Sequence, residues 1–181
     1  FSSAESVDVY SDLWSAIHAL CGNNEGICCI LGTGSNACVY DGTLIVKQLP
    51  SLGYILGDEE SGNHIGKELI RAYFYGEMPK DISNLFKIRY EIEEHNFVKN
   101  LYSNSRPNRY MASFALFAAE FRENPFIENL IKNCFREFAE KQIAKLQPKA
   151  NLPVYFCGSV AKEFETELCS VMDEMGFEMA D

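Results

Sequence analysis

The sequence predicts an α/β domain, helices packed on a mixed sheet, and three observations carry that reading. Apolar runs at residues 26–31 and 154–157 each end in a glycine turn, as buried strands do. Between them, apolar residues recur at spacings of three and four, the period of core-facing helices. The resulting order is three strands, several helices, one strand and one helix, a layered arrangement whose ligand loops lie at strand ends.

Taken in order, Val7 to Tyr10 alternates like the end of a strand. Ser11 or Asp12 then caps a helix with Leu13, Trp14, Ile17, Leu20 and Cys21 on its apolar face, closed by Gly22. The strand from Gly26 to Leu31 leads through a polar loop to strands at 37–40 and 44–47, which flank the hairpin pair Asp41 and Gly42. These adjacent antiparallel strands are expected to begin a five-stranded mixed sheet. Residues 49–63 form a glycine-punctuated loop, and a loop of that length in a compact domain is usually functional.

Helices are expected from His64 or Ile65 to Tyr75, from Pro79 to about Phe86, and from Glu91 to Tyr102. Ser103 to Arg109 is a polar connector with two arginines, and Met111 to Phe121 an Ala- and Phe-rich helix. Asn124 and Pro125 read as the cap and first turn of a long helix over 126–145, carrying Ile127, Ile131, Phe135 and Phe138 on its core face. A linker at 148–153 precedes the strand at 154–157, and a last helix from Ala161 to Met175 stops at Gly176.

Composition excludes several roles. The 26 acidic and 16 basic side chains give a formal charge of −10, which opposes non-specific binding to nucleic acid or anionic membranes. A phosphorylated ligand would have to be held against that field by backbone dipoles and a divalent cation. Neither a signal peptide nor a membrane-spanning apolar run is evident, so a cytoplasmic protein is expected. The seven cysteines are odd in number, lack a Cys-x-x-Cys pair and have apolar neighbours, so reduced core thiols are expected. No His, Asp and Cys cluster has metal-ligand spacing, and no metal ligand is assigned.

The chemistry concentrates at the glycine turns. Gly32, Thr33, Gly34, Ser35 and Asn36 follow a buried strand, and such a backbone either turns tightly or wraps an anion with its N–H groups and hydroxyls. The loop matches neither the dinucleotide fingerprint nor the Lys-bearing phosphate loop. Asp12 is either a helix cap or a carboxylate facing a cleft. His64 is the one histidine near these loops, either touching a ligand or packing beside it.

Four stretches together resemble one family. Asp12 at a helix start, Gly32 to Asn36, Leu52 to Ser61 with Gly57, Asp58 and Glu59, and Gly158, Ser159 and Val160 before Lys162 look like the catalytic Asp, second phosphate loop, Gly-Asp-Glu stretch and adenosine turn of the acetate kinase/hexokinase/actin superfamily. Within it the chain resembles the BadF/BadG/BcrA/BcrD-type group, which includes N-acetylglucosamine kinase. The resemblance implies a ribonuclease H-like, actin/hexokinase-type lobe and ATP-dependent phosphorylation of a sugar or amino sugar, with Mg2+. It assigns Asp12 as the residue that orients or deprotonates the acceptor hydroxyl. Gly32, Thr33, Gly34 and Ser35 would hold the transferring phosphate, with Gly158 and Ser159 along the adenosine. Asn36, Gly53 and Asp58 would contact the sugar.

Departures from the family pattern have consequences of their own. Leu52 stands where the sugar kinases have Trp, Pro50 and Ser51 replace glycines, and Glu60 replaces a small residue, which alters the pocket wall and so the choice of sugar. The family's first lobe, with its Asp-Gly-Gly-x-Thr hairpin, would precede Phe1, and a strand and helix would follow Asp181. Residues 1–181 are therefore expected to be the second, C-terminal lobe with the N-terminal lobe and last helix missing, inactive alone and prone to form a homodimer through the uncovered face. A sugar or nucleotide sensor, or an ATPase activator of an iron–sulphur enzyme, are the alternatives.

Overall fold

The computed structural model describes residues 12–147 and 151–180. The strand expected at 7–10, the Ser11 cap, part of the linker and the side chain of Asp12 lie outside the described residues. Four strands form one sheet in the order β3-β2-β1-β4: β1 (Glu25–Leu31), β2 (Ser35–Asp41), β3 (Ile45–Gln48) and β4 (Val154–Cys157). β2 pairs antiparallel with β1 and with β3, while β4 runs parallel to β1, with Ile27 opposite Val154 and Ile30 opposite Cys157. The expected fifth strand is not among the described residues. Beside β4 there is instead a single parallel bridge at Met179, where the Val154 N–H donates to the Glu178 carbonyl at 2.8 Å and the Ala180 N–H to the Val154 carbonyl at 3.0 Å.

β1 reads as an unbroken apolar run because both its faces are covered. Ile27, Cys29 and Leu31 join the larger core beneath the helices, while Cys28 packs with Leu13, Ile17 and Cys21 at the helix α1 (Asp12–Leu20) on the opposite face. The hairpin between β2 and β3 turns as expected, since Asp41 Oδ1 accepts from the N–H groups of Thr43 and Leu44 at 2.9 and 2.8 Å. Cys21 and Cys28 corrects the expectation of seven reduced thiols: the two sulphurs are in bonding contact across α1 and β1, their Cα atoms 7.6 Å apart. The other five cysteines are free.

The helices are α2 (Gly53–Leu56), α3 (Gly62–Phe74), α4 (Lys80–Tyr90), α5 (Glu94–Ser103), α6 (Pro107–Ser113), α7 (Ala115–Glu120), α8 (Pro125–Phe138), α9 (Ala144–Leu146), α10 (Ser159–Glu163) and α11 (Glu165–Met175). α2 occupies part of the stretch expected to be an unstructured loop. The Ala- and Phe-rich helix is two helices, broken at Phe114, which is fully buried against Phe86 and Tyr90 with ring centroids 5.7 and 4.4 Å away. The last helix likewise breaks, at Phe164, also in the core. Asn124 caps α8 as expected, its Oδ1 accepting from the Phe126 N–H at 3.0 Å. The long helix passes through a π-turn at Ala139–Ile143 between α8 and α9, an extra residue that a three-and-four periodicity does not reveal. Among the described residues no helix is long and apolar enough to cross a membrane.

The helical layer is held to α3 by a close approach. A Cβ on Gly66 would stand 1.9 Å from the Met111 carbonyl oxygen of α6, a backbone atom that cannot swing aside. Gly66→Ala is therefore expected to cost at least about 2 kcal/mol, lowering the thermal midpoint by about 5 °C or more. Thermal unfolding followed by circular dichroism measures this, and an unchanged midpoint would mean that α3 and α6 stand further apart.

Candidate functional site

Because β1 and β4 run parallel and end side by side, the turns that follow them share one edge of the sheet. Gly158 has φ +108, and a Cβ there would lie 2.2 Å from the Leu31 carbonyl oxygen, so only glycine fits where β4 closes against the end of β1. The loop after β1 is tied inward by the Gly32 N–H donating to the Gly34 carbonyl at 3.0 Å. It is tied to α3 by the Gly62 N–H donating to the Gly32 carbonyl at 2.8 Å. Ser61 caps α3, its Oγ accepting from the His64 N–H at 3.1 Å.

One cleft, of ≈ 320 Å³, opens on this edge. Gly32, Thr33, Gly62 and Ser159 supply its polar backbone and hydroxyls, and Ala112, Ala115 and Ala119 from α6 and α7 face Val160 and Phe164 across it. Leu116 and Glu163 complete the lining, so one carboxylate stands among walls that are otherwise small and apolar. Gly158 lines the neighbouring recess, beside Lys162, and reaches this cleft only through Ser159.

A second recess, of ≈ 530 Å³, lies along the same glycine loop and is lined by Gly34, Ser35, Asn36 and Asp58. Gly34 lets the Asp58 carboxyl approach closely: a Cβ there would stand 2.9 Å from Oδ2 and displace that side chain. Burial pushes the Asp58 carboxyl above the ordinary range; the Ser35 N–H, which donates to it, pulls it back, and the charge of Glu59 adds to the rise. Asn36 Oδ1 accepts from Gln48 Nε2 at 3.0 Å. Leu13 also lines the recess, so Asp12 opens α1 one residue from it. Gly53, with φ +68, lines neither the recess nor the cleft. It closes the α2 turn, accepting from the Gly57 N–H at 2.8 Å.

The turn that carries Asp58 holds residues that sequence reasoning missed. Asp58 and Glu60 both have left-handed backbones, with φ of 59° and 55°. Glu59 is held by Gln142 Nε2, which donates to its Oε2 at 3.2 Å, and by Lys141 at 3.9 Å, both from the π-turn. Glu60 is wholly buried and neither carboxyl oxygen has a partner. Burial pushes its carboxyl well above the ordinary range and Glu137 adds to the rise, both disfavouring the charged form. A Ser before an apolar helical stripe is a legible cap signal, so Ser61 could have been found. Glu60, expected in the pocket wall, lines neither the cleft nor the recess and is buried in the core instead; nothing local marks that burial, or Gln142. Among the described residues no three His, Cys, Asp or Glu side chains group so as to hold a metal ion.

No family model and no curated protein matches the chain. Among solved structures, it superposes on the "Putative N-acetylglucosamine Kinase" of Porphyromonas gingivalis with a TM-score of 0.88 at 37% identity, over 93% of this chain and 59% of that one. It superposes on the protein of the same name from Chromobacterium violaceum with a TM-score of 0.67 at 23% identity, over 92% of this chain and 60% of that one. The chain thus spans less than two thirds of the length of either.

Glu60 supplies a test of the turn. A carboxyl whose folded pKa is raised binds its proton more tightly when folded. Its destabilising effect is therefore absent below the ordinary glutamate range and grows as the pH rises through the raised pKa. Glu60→Gln is expected to leave the unfolding free energy nearly unchanged in acid and to raise it increasingly towards pH 8, by about 1 to 3 kcal/mol. A gain confined to acid, or none at any pH, would mean that Glu60 is charged and partnered.

Proposed function

From a chain that is a structural homologue, at moderate identity over most of its length, of the BadF/BadG-type N-acetylglucosamine kinase fold, we propose an ATP-dependent transfer of phosphate to a sugar or amino sugar. The chain would be the second lobe of the enzyme, a reading supported by its spanning 59% and 60% of the two similar proteins. The observation that carries the proposal is a single glycine loop with a nucleotide-sized cleft at Gly32 and Thr33 and a polar recess at Gly34, Ser35 and Asn36. A phosphate moving from donor to acceptor must pass such a point.

In this reading Ser159 lies along the adenosine or its ribose, with Gly158 setting the turn, and Gly32 to Ser35 hold the transferring phosphate through the Thr33 and Ser35 hydroxyls and the loop N–H groups not already donated to the Gly34 carbonyl and the Asp58 carboxylate. Asp58 accepts hydrogen bonds from sugar hydroxyls, Asn36 lies beside it, and Asp12 orients or deprotonates the attacking hydroxyl. Gly53 acts on the acceptor only indirectly, by closing the turn before Gly57. Mg2+ bound by the nucleotide phosphates and water would offset their charge. The rest of the phosphate cage would come from a first lobe, and the working enzyme would be a cytoplasmic homodimer.

The full-length protein tests this by steady-state phosphorylation of a panel of hexoses and amino sugars. Asp12→Asn is expected to lower turnover by about a hundredfold to ten-thousandfold while ATP affinity stays unchanged. Asp58→Asn is expected to raise the sugar KM, a charged acceptor being worth about 1.5 to 3 kcal/mol. Because burial raises the Asp58 pKa, the sugar KM of the unaltered enzyme is expected to climb on acidification before an ordinary aspartate would titrate. Phosphorylation of no sugar would remove the proposal, and retained nucleotide binding would then favour a sensor.

A further inference from the structure

The left-handed turn from Asp58 to Glu60 needs an external restraint, because each such non-glycine residue is strained and persists only where its surroundings hold it. His64 supplies one. The Glu60 N–H donates to His64 Nδ1 at 3.1 Å, across four residues and inside the core, where His64 is 5% exposed. Nδ1 therefore carries no proton, and the neutral ring holds its proton on Nε2. Nε2 faces Glu137 of α8 at 3.4 Å and Glu68 of α3 at 3.8 Å, carboxylates that favour this tautomer. The same turn is pinned from its other side by the Ser61 N–H, which donates to the Asp58 carbonyl at 3.1 Å. A chain of short contacts thus runs from α8 through the imidazole to the backbone that aims Asp58 at Gly34.

We propose that His64 is a positioning residue for the acceptor site: its neutral ring clamps the Glu60 N–H and thereby fixes the turn that sets the Asp58 carboxylate beside Ser35. The proposal rests on the reading of Asp58 as the sugar-binding carboxylate. An imidazolium has no acceptor at Nδ1, so protonation opens the clamp. The charged and titratable groups around the ring are Glu59 and Glu60 from the turn, Lys67 and Glu68 from α3, Cys134 and Glu137 from α8, and Lys141 from the π-turn. Burial first, then Lys67, holds the His64 pKa below the ordinary imidazole range, against the pull of Glu137, Glu68 and Glu59. The clamp is closed while the ring is neutral and opens as the pH falls through the lowered pKa of the folded protein, below where an ordinary imidazole would take its proton.

Two variants in the full-length protein separate positioning from packing. His64→Asn places an amide oxygen near the position of Nδ1 and does not titrate, whereas His64→Leu fills the space without an acceptor. Hydrogen exchange at the Glu60 amide is expected to quicken about tenfold in His64→Leu, the loss of one hydrogen bond, and to stay near the original rate in His64→Asn. The sugar KM should rise about tenfold in His64→Leu with kcat little changed, and the acid-side rise in KM due to the clamp should vanish in His64→Asn. In the unaltered protein the Glu60 amide resonance should move with the titration of His64. Should both variants fail to fold, that titration alone decides: an amide that ignores the imidazole overturns the proposal. So does a Glu60 amide equally protected in all three proteins. If no sugar is phosphorylated the functional reading falls, while exchange and resonance shift still test the clamp.

Discussion

The parallel pairing of β1 with β4 is the constraint on which the site depends. Parallel neighbours end on the same edge, so the turns at Gly32 and Gly158 are brought together by the sheet itself. The pairing is tight because Gly158 has no side chain to meet the Leu31 carbonyl, and its register is fixed because β1 is buried on both faces. A slip of one residue would exchange Ile27, Cys29 and Leu31 for Cys28 and Ile30 at the helical core. The third component, α3, is then docked by one backbone hydrogen bond, from the Gly62 N–H to the Gly32 carbonyl. Three elements far apart in sequence meet at one loop through backbone contacts, a geometry that glycine permits and larger residues would obstruct.

What the chain discloses locally was legible in it. Strand β1 and its glycine loop, the hairpin at Asp41 and Gly42, and the Asn124 cap all follow from short-range chemistry, and they fall where that chemistry puts them. The misses are tertiary. The helices break at Phe114 and Phe164 where periodicity would continue them, and an apolar residue on a core-facing stripe does not mark the break. The π-turn changes which residues face Glu59, and a single inserted residue leaves no trace in an apolar stripe. The site divides in the same way. Gly32 to Asn36, Asp58 and Ser159 gather around one loop, whereas Gly53 serves its own turn and the Asp12 side chain lies outside the described residues. The support around Asp58 was not legible, since burial of Glu60 and His64 is decided by α8, which lies far along the chain.

The three consecutive acids Asp58, Glu59 and Glu60 show how environment, and not residue type, apportions charge at this edge. Asp58 is half-buried against the recess, with the Ser35 N–H favouring its ionised form and burial opposing it. Glu59 is turned to the π-turn, where Gln142 and Lys141 hold it. Glu60 points into the core, where burial disfavours its charged form. A chain with a net charge of −10 already carries a field that opposes anionic ligands, and a cluster of three ionised acids would deepen it. By burying one acid and pairing another, the turn presents a single carboxylate, Asp58, to the recess beside Gly34. At the glycine loop the backbone is fixed by its own bonds, the Gly32 N–H on the Gly34 carbonyl and the Ser35 N–H on the Asp58 carboxylate, so the loop and the acid turn hold each other in place.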